Sequence, residues 1–160
     1  MQAIQTERPF DLSNKSEVIR RRGLIQDAAS LMAKMISDGD MVKAECPVTH
    51  RFTKGLYLRE IFMPKGSRVI GKIHAAEHFN VVLTGKVTVI TVDGKEEITA
   101  PHTFISKAGI QKVVIVHEDC TWQTLHVTDK TSIDEIEKEV IVDSYDKICG
   151  NEVIKLEGLL

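Results

Sequence analysis

The pattern of apolar and polar positions predicts a helix near the start of the chain. Between residues 17 and 36, apolar side chains recur at steps of three, four and seven residues, which places them in one stripe along a helix. The stripe comprises Val18, Ile25, Ala29, Met32 and Ile36. Gly39 follows it and is a typical helix stop. We therefore expect an irregular lead-in and one amphipathic helix over residues 1–40.

From residue 41 to residue 128 the apolar positions fall in short runs rich in valine, isoleucine and threonine, as half-buried strands require. The runs are LYLREIFM (56–63), SRVIGKIH (67–74), FNVVLTG (79–85), KVTVITV (86–92), EEITA (96–100), KVVIVH (112–117) and TWQTLHV (121–127). Asp93-Gly94 lies between two of them and predicts a two-residue type I′ hairpin turn. Strands at this regular spacing, with no helix among them, predict an antiparallel β-barrel or sandwich.

The last part of the chain, residues 129–160, is predicted to be a short helical tail. Ser132 and Glu135 have the spacing of a capping box, and the next apolar positions share one helix face. The final residues are apolar again, so we expect them to pack on the barrel or to cover a neighbouring subunit. The three parts predict one compact domain, and its two amphipathic appendages predict a homo-oligomer.

Composition argues against several classes of protein. The formal net charge of −2 gives no electrostatic reason to expect a nucleic-acid or membrane partner. No apolar run approaches the ~20 residues of a membrane span, and the N-terminus lacks the order of a signal peptide. The three cysteines are widely spaced and form no CxxC pair, which favours a reducing compartment. We therefore expect a cytoplasmic protein.

Residues 64–126 resemble a single-domain cupin, and the first cupin motif carries much of that resemblance. The motif has an opening glycine, an H-x-H pair, a glutamate and a closing glycine at fixed spacing. Gly66, Lys72, His74, His78 and Gly85 stand at these positions. Lysine thus replaces the first histidine, and histidine replaces the glutamate.

The second cupin motif contains P-x-G-x-x-H, and KAGIQK (107–112) stands in its place. Gly109 is retained, whereas Lys107 replaces the proline and Lys112 replaces the histidine. The whole run, including CPVTHRF (46–52) and VHEDCTWQTLH (116–126), also resembles small cupins of tailed phages. The resemblance implies a mainly β, cupin-like antiparallel barrel, a jelly roll, with a helix at each end.

The resemblance also implies where a ligand would bind. Residues two apart on a strand point to the same face, so Lys72 and His74 share a face, and His126 shares one with Trp122. The expected ligand-binding residues are Lys72, His74, His78, Lys112, Trp122 and His126. Cupin enzymes generally bind a divalent transition metal through three imidazoles and a carboxylate. His74 and His78 supply two candidate metal ligands, and Glu60, Glu77 or His126 would complete the set.

Three functional hypotheses follow from these residues. Lysine is a cation at neutral pH and a poor metal ligand, so the first is a pocket for a small anionic molecule, phosphate- or nucleotide-like. In a phage such a protein would sequester a signal molecule in the host cytoplasm. The second is a metal-dependent oxygenase or isomerase that uses His74 and His78. The third is a structural phage protein with a vestigial barrel. The sequence identifies no catalytic residue.

Overall fold

The computed structural model describes residues 15–143, and the predicted lead-in before residue 15 and the apolar end beyond residue 143 lie outside the described residues. The described part is mainly β, with a long helix at its start and a short helix near its end. Its elements are α1 (Lys15–Ser37), β1 (Val48–Thr53), β2 (Leu56–Met63), β3 (Arg68–Ile70), β4 (Ile73–His74), β5 (His78–Thr91), β6 (Gly94–Thr99), β7 (His102–Ser106), β8 (Val113–Val127), α2 (Ile133–Val140) and β9 (Ile141–Val142). The predicted antiparallel β fold with a helix at each end is confirmed. No helix within residues 15–143 is long and apolar enough to cross a membrane.

Two long antiparallel strands, β5 and β8, organise the main sheet. Its hydrogen-bonded order is β1-β2-β8-β5-β6, with β3 also pairing with β8 and β7 with β5. A second sheet consists of β4 and β9 alone. The predicted cupin-like jelly roll is present, with sheets that do not close into a continuous barrel. The reason lies at Gly71 and Lys72, where the predicted strand over residues 67–74 leaves the main sheet and splits into β3 and β4.

Gly85 allows β5 to pass through an irregular stretch without ending. Its φ is +88°, and a Cβ at this position would lie 2.4 Å from the carbonyl oxygen of Asp119 on β8. The register between β5 and β8 shifts three times between Val82 and Val87, as expected at a bulge. The sequence pattern predicted two strands separated at this glycine, and the structure has one strand with a bulge.

The hairpin between β5 and β6 forms one residue earlier than predicted. Thr91 pairs with Gly94, so the loop consists of Val92 and Asp93 instead of Asp93 and Gly94. No residue other than glycine has a positive φ within residues 15–143, so this loop is not the type I′ turn that was predicted. The backbone N–H of Asp93 donates to the Thr91 hydroxyl at 3.1 Å, which stabilises the loop instead.

Helix α2 packs against the sheet through a small apolar cluster of its own. Ile136 and Val140 are buried and contact Tyr57 of β2, with Ile141 packed beside them. The predicted capping box does not form, because the Ser132 side chain makes no cap hydrogen bond. The carbonyl of Ser132 accepts a bond from the N–H of Ile136 at 3.0 Å. Apolar burial therefore fixes the position of α2.

Candidate metal and anion site

Three histidines from three different strands meet beside the helix α2. His74 ends β4, His78 begins β5, and His126 lies near the end of β8. Their ring nitrogens that can bind a metal lie within 4.8 Å of one another. The rings stack, with centroids 4.1 Å apart for His74 and His78, 4.8 Å for His78 and His126, and 5.2 Å for His74 and His126. We call these residues the histidine cluster.

Burial keeps the histidine cluster in its neutral form. Desolvation lowers the pKa of His74 to about 2, and the positive charges of protonated His78 and of Lys112 act in the same direction. Desolvation, followed by the charge of Lys112, lowers the pKa values of His78 and His126 to about 4. Neutral imidazole is the form that binds a metal ion, so the cluster is ready to coordinate one at neutral pH.

Hydrogen bonds fix the tautomer of His78 and leave one nitrogen of His74 unpaired. The Nδ1 of His78 donates to the carbonyl of Ala76 at 3.1 Å, so the lone pair of Nε2 faces the Lys112 ammonium. The buried Nδ1 of His74 and the buried hydroxyl of Thr124 have no hydrogen-bond partner among the described residues. Buried polar atoms without a partner are uncommon and point to a missing ligand. The donor set and its unpaired nitrogen therefore fit a metal ion.

Lys112 lies directly against this cluster. Its Nζ is 3.4 Å from Nε2 of His78, and the residue is only 8% exposed. The N–H of Gly71 donates to the carbonyl of Lys112 at 2.8 Å, which holds this backbone next to β3. Burial lowers the pKa of Lys112 to about 8. Of the two lysines predicted to line the pocket, Lys112 is the one that contacts the histidine cluster.

Lys72, the other lysine predicted to line the pocket, lies at the exposed rim of the site, next to α2. Its Nζ pairs with Oε1 of Glu137 on α2 at 3.1 Å, and its side chain is 60% exposed. The ion pair therefore directs the Lys72 ammonium to Glu137, and the histidine cluster has one adjacent lysine instead of two.

Trp122 forms part of the wall of the site. Its indole N–H donates to Oδ1 of Asn80 at 3.2 Å, and its ring meets Phe104 edge-on. Asn80 is fully buried and donates in turn to the hydroxyl of Ser106. The side chain of Trp122 is therefore held in place, and its N–H is occupied within the protein.

The two glutamates proposed to complete a metal site lie elsewhere. Glu60 accepts a hydrogen bond from Gln123 and pairs with Arg51. Glu77 is exposed, whereas His126 is buried within the cluster. The structure thus favours His126 as the third candidate ligand.

His74 and His126 of the cluster line a cavity of about 270 Å³ between the sheet and α2. Sequence reasoning missed two of its lining residues, Tyr57 and Arg59. The signal was present, because Tyr57, Arg59, Ile61 and Met63 are alternate residues of β2 and all four line the cavity. Arg59 adds a second cation to the wall, and Glu137 is the carboxylate at the edge.

No protein-family model and no curated protein matches the sequence. Solved structures resemble the fold at low identity. A cupin superfamily protein from Desulfitobacterium hafniense is 9% identical, with a TM-score of 0.48 over 56% of this chain and 83% of that chain. An acetylacetone dioxygenase from Acinetobacter johnsonii is 14% identical, with a TM-score of 0.46 over 53% of this chain and 61% of that chain. An RmlC-like cupin with a double-stranded β-helix fold from Methanocaldococcus jannaschii is 8% identical, with a TM-score of 0.44 over 56% of this chain and 94% of that chain. Structural neighbours thus include cupins, and the likeness to phage cupins stays a prediction.

Proposed function

We propose that this protein binds a divalent transition metal through His74, His78 and His126, and that it holds a small anionic molecule next to the metal. The observation that carries the proposal is the meeting of three neutral imidazoles within 4.8 Å at the edge of a cavity. Three protein ligands leave coordination positions for an external ligand, as in metal sites that bind or transform small molecules.

The donor set narrows the choice of metal. An all-imidazole set suits zinc, copper, iron or nickel better than magnesium or calcium, which prefer oxygen ligands. The unpaired Nδ1 of His74 supports a bound partner at this place. When bound, such a metal acts as a Lewis acid on its external ligand.

Two cations support an anionic ligand. Lys112 and Arg59 line the same cavity, and both lower the pKa values of His74 and His126 through their charge. A phosphate or a carboxylate accepts charge-assisted hydrogen bonds from both residue types. The phosphate- or nucleotide-like ligand predicted from the sequence therefore keeps its support. The host signal, the cytoplasmic location and the homo-oligomer stay predictions.

The geometry of the site agrees with the hypothesis of a metal-dependent enzyme and disagrees with that of a structural protein. Open coordination positions next to an apolar wall are also what a metal-dependent oxygenase or isomerase requires, so turnover is a natural extension of metal binding. A structural protein with a vestigial barrel predicts a pocket filled by side chains. The cavity and the unpaired polar atoms at its edge argue against that hypothesis.

Metal content tests the proposal. The full chain is purified without chelator, and bound metal is measured by elemental analysis for wild type, His74→Ala, His126→Ala and the control His102→Ala. His102 lies on β7 and is not part of the cluster. We expect about one metal per chain in wild type and control, and a loss of at least about tenfold in both cluster variants. Equal metal content in all four proteins, or none in wild type, contradicts the proposal.

A further inference from the structure

Lys112 is a buried cation. No carboxylate within residues 15–143 forms an ion pair with it. The ion pairs of this part of the chain involve other lysines and arginines. The hydrogen bond of its ammonium is to the neutral ring of His78. A buried charge is costly unless it is paired, so the surroundings of Lys112 lack a negative charge.

A metal on the histidine cluster would make this imbalance larger. The three ligands are neutral, and Arg59 adds a further cation to the cavity wall. Glu137 also lines the cavity, but its carboxylate pairs with Lys72 at the rim. A divalent ion next to the Lys112 ammonium is therefore repelled until an anion enters the cavity.

We infer that metal and anion bind cooperatively and that Lys112 couples the two events. This inference rests on the proposed function. A phosphate or carboxylate between Lys112 and the metal contacts both cations, so each ligand lowers the cost of binding the other. Coupling of this kind is reciprocal: the factor by which the anion tightens metal binding equals the factor by which the metal tightens anion binding.

The test is a Co²⁺ titration of the metal-free full chain with and without inorganic phosphate, followed by visible absorption and calorimetry. We expect phosphate to lower the Kd for Co²⁺ of wild type by about tenfold or more, within the usual range of such couplings. Lys112→Met removes the charge and keeps the apolar stem. It should bind Co²⁺ more tightly than wild type without phosphate and respond to phosphate by less than about twofold. Lys112→Gln removes the charge but keeps a donor for His78, and it should behave in the same way.

Lys86→Met is the matched control, because Lys86 pairs with Glu97 and does not line the cavity, and it should respond to phosphate like wild type. If Co²⁺ binds wild type but phosphate has no effect, or if the effect persists in both Lys112 variants, the coupling is wrong and the metal site stands. If neither Lys112 variant folds, the wild-type titration decides, because an equal Kd for Co²⁺ with and without phosphate overturns the inference. If Co²⁺ does not bind at all, the proposed function fails first.

Discussion

Lys112 and Lys72 show how strongly the surroundings of a single residue determine its role. Both stand at positions where the motifs that the sequence resembles have a histidine, and the sequence predicted both in the pocket. Lys112 is buried against His78, so its charge acts on the histidine cluster. Lys72 has Glu137 within reach, and an exposed ion pair at the rim satisfies it. The difference comes from residues distant in sequence, which a motif comparison does not include.

Gly85 gives a test of local backbone geometry. Gly85→Ala must place a Cβ against the backbone of Asp119 at a positive φ, so we expect it to lower the free energy of unfolding by about 3 kcal/mol or more. The control is Gly66→Ala, which has φ +85° but nothing within 4 Å of the added Cβ. It should cost about 1–2 kcal/mol, from the backbone conformation alone. Urea denaturation measures both values, and equal losses contradict the close approach at Gly85.

The histidine cluster predicts that the metal-free protein loses stability in mild acid. The folded-state pKa values of about 2 and about 4 lie below the ordinary value of 6.5, so the unfolded chain binds protons that the folded chain does not. The free energy of unfolding should therefore be unaffected by these groups above pH ~6.5. It should fall as the pH drops from about 6.5 to about 5, by up to about 1.4 kcal/mol per pH unit for each histidine.

Urea denaturation at a series of pH values measures this slope. His126→Gln removes one of the three groups. The change of its free energy of unfolding with pH should therefore be smaller by up to about 1.4 kcal/mol per pH unit, the contribution of one proton. A slope that His126→Gln leaves unchanged contradicts the burial of a neutral His126.

At the scale of elements, α2 is predicted to be held by the side chain of Ile136. Ile136 is 1% exposed in the cluster with Tyr57, whereas Ile133 on the same helix is 38% exposed. We expect Ile136→Ala to lower the free energy of unfolding by about 2–4 kcal/mol and Ile133→Ala by less than about 1 kcal/mol. Denaturant midpoints of the two variants check the difference. Similar losses for both isoleucines contradict the packing of α2 described above.

The strands show which parts of a β fold can be predicted from one sequence. The run over residues 56–63 was predicted with the bounds of β2, because its apolar residues mark a strand clearly. The strands β5 and β8 were each predicted as two shorter strands. The predicted runs end at Gly85 in β5 and at His117 in β8, whereas long-range pairing between β5 and β8 keeps both strands continuous. Short strands with polar residues, such as β1 and β7, were not predicted.

At the scale of the whole molecule, four predicted site residues come together. His74, His78, Lys112 and His126 were predicted from motif positions and strand alternation, and the structure places them in contact or near contact. Arg59 was not predicted, because the alternation on β2 groups it with Tyr57 but does not say which face of the sheet meets a cavity. That distinction depends on α2, which packs over the same face of the sheet from far along the chain.

A crystal structure of the full chain with Co²⁺, analysed by anomalous scattering at the cobalt absorption edge, tests the histidine site most directly. We expect one strong anomalous peak at the cavity, at about 2.0–2.3 Å from one ring nitrogen each of His74, His78 and His126. Phosphate in the crystal should then occupy the space between this peak and Lys112. A peak at other residues, or none at the histidine cluster at saturating Co²⁺, would contradict the claim that these histidines form a metal site.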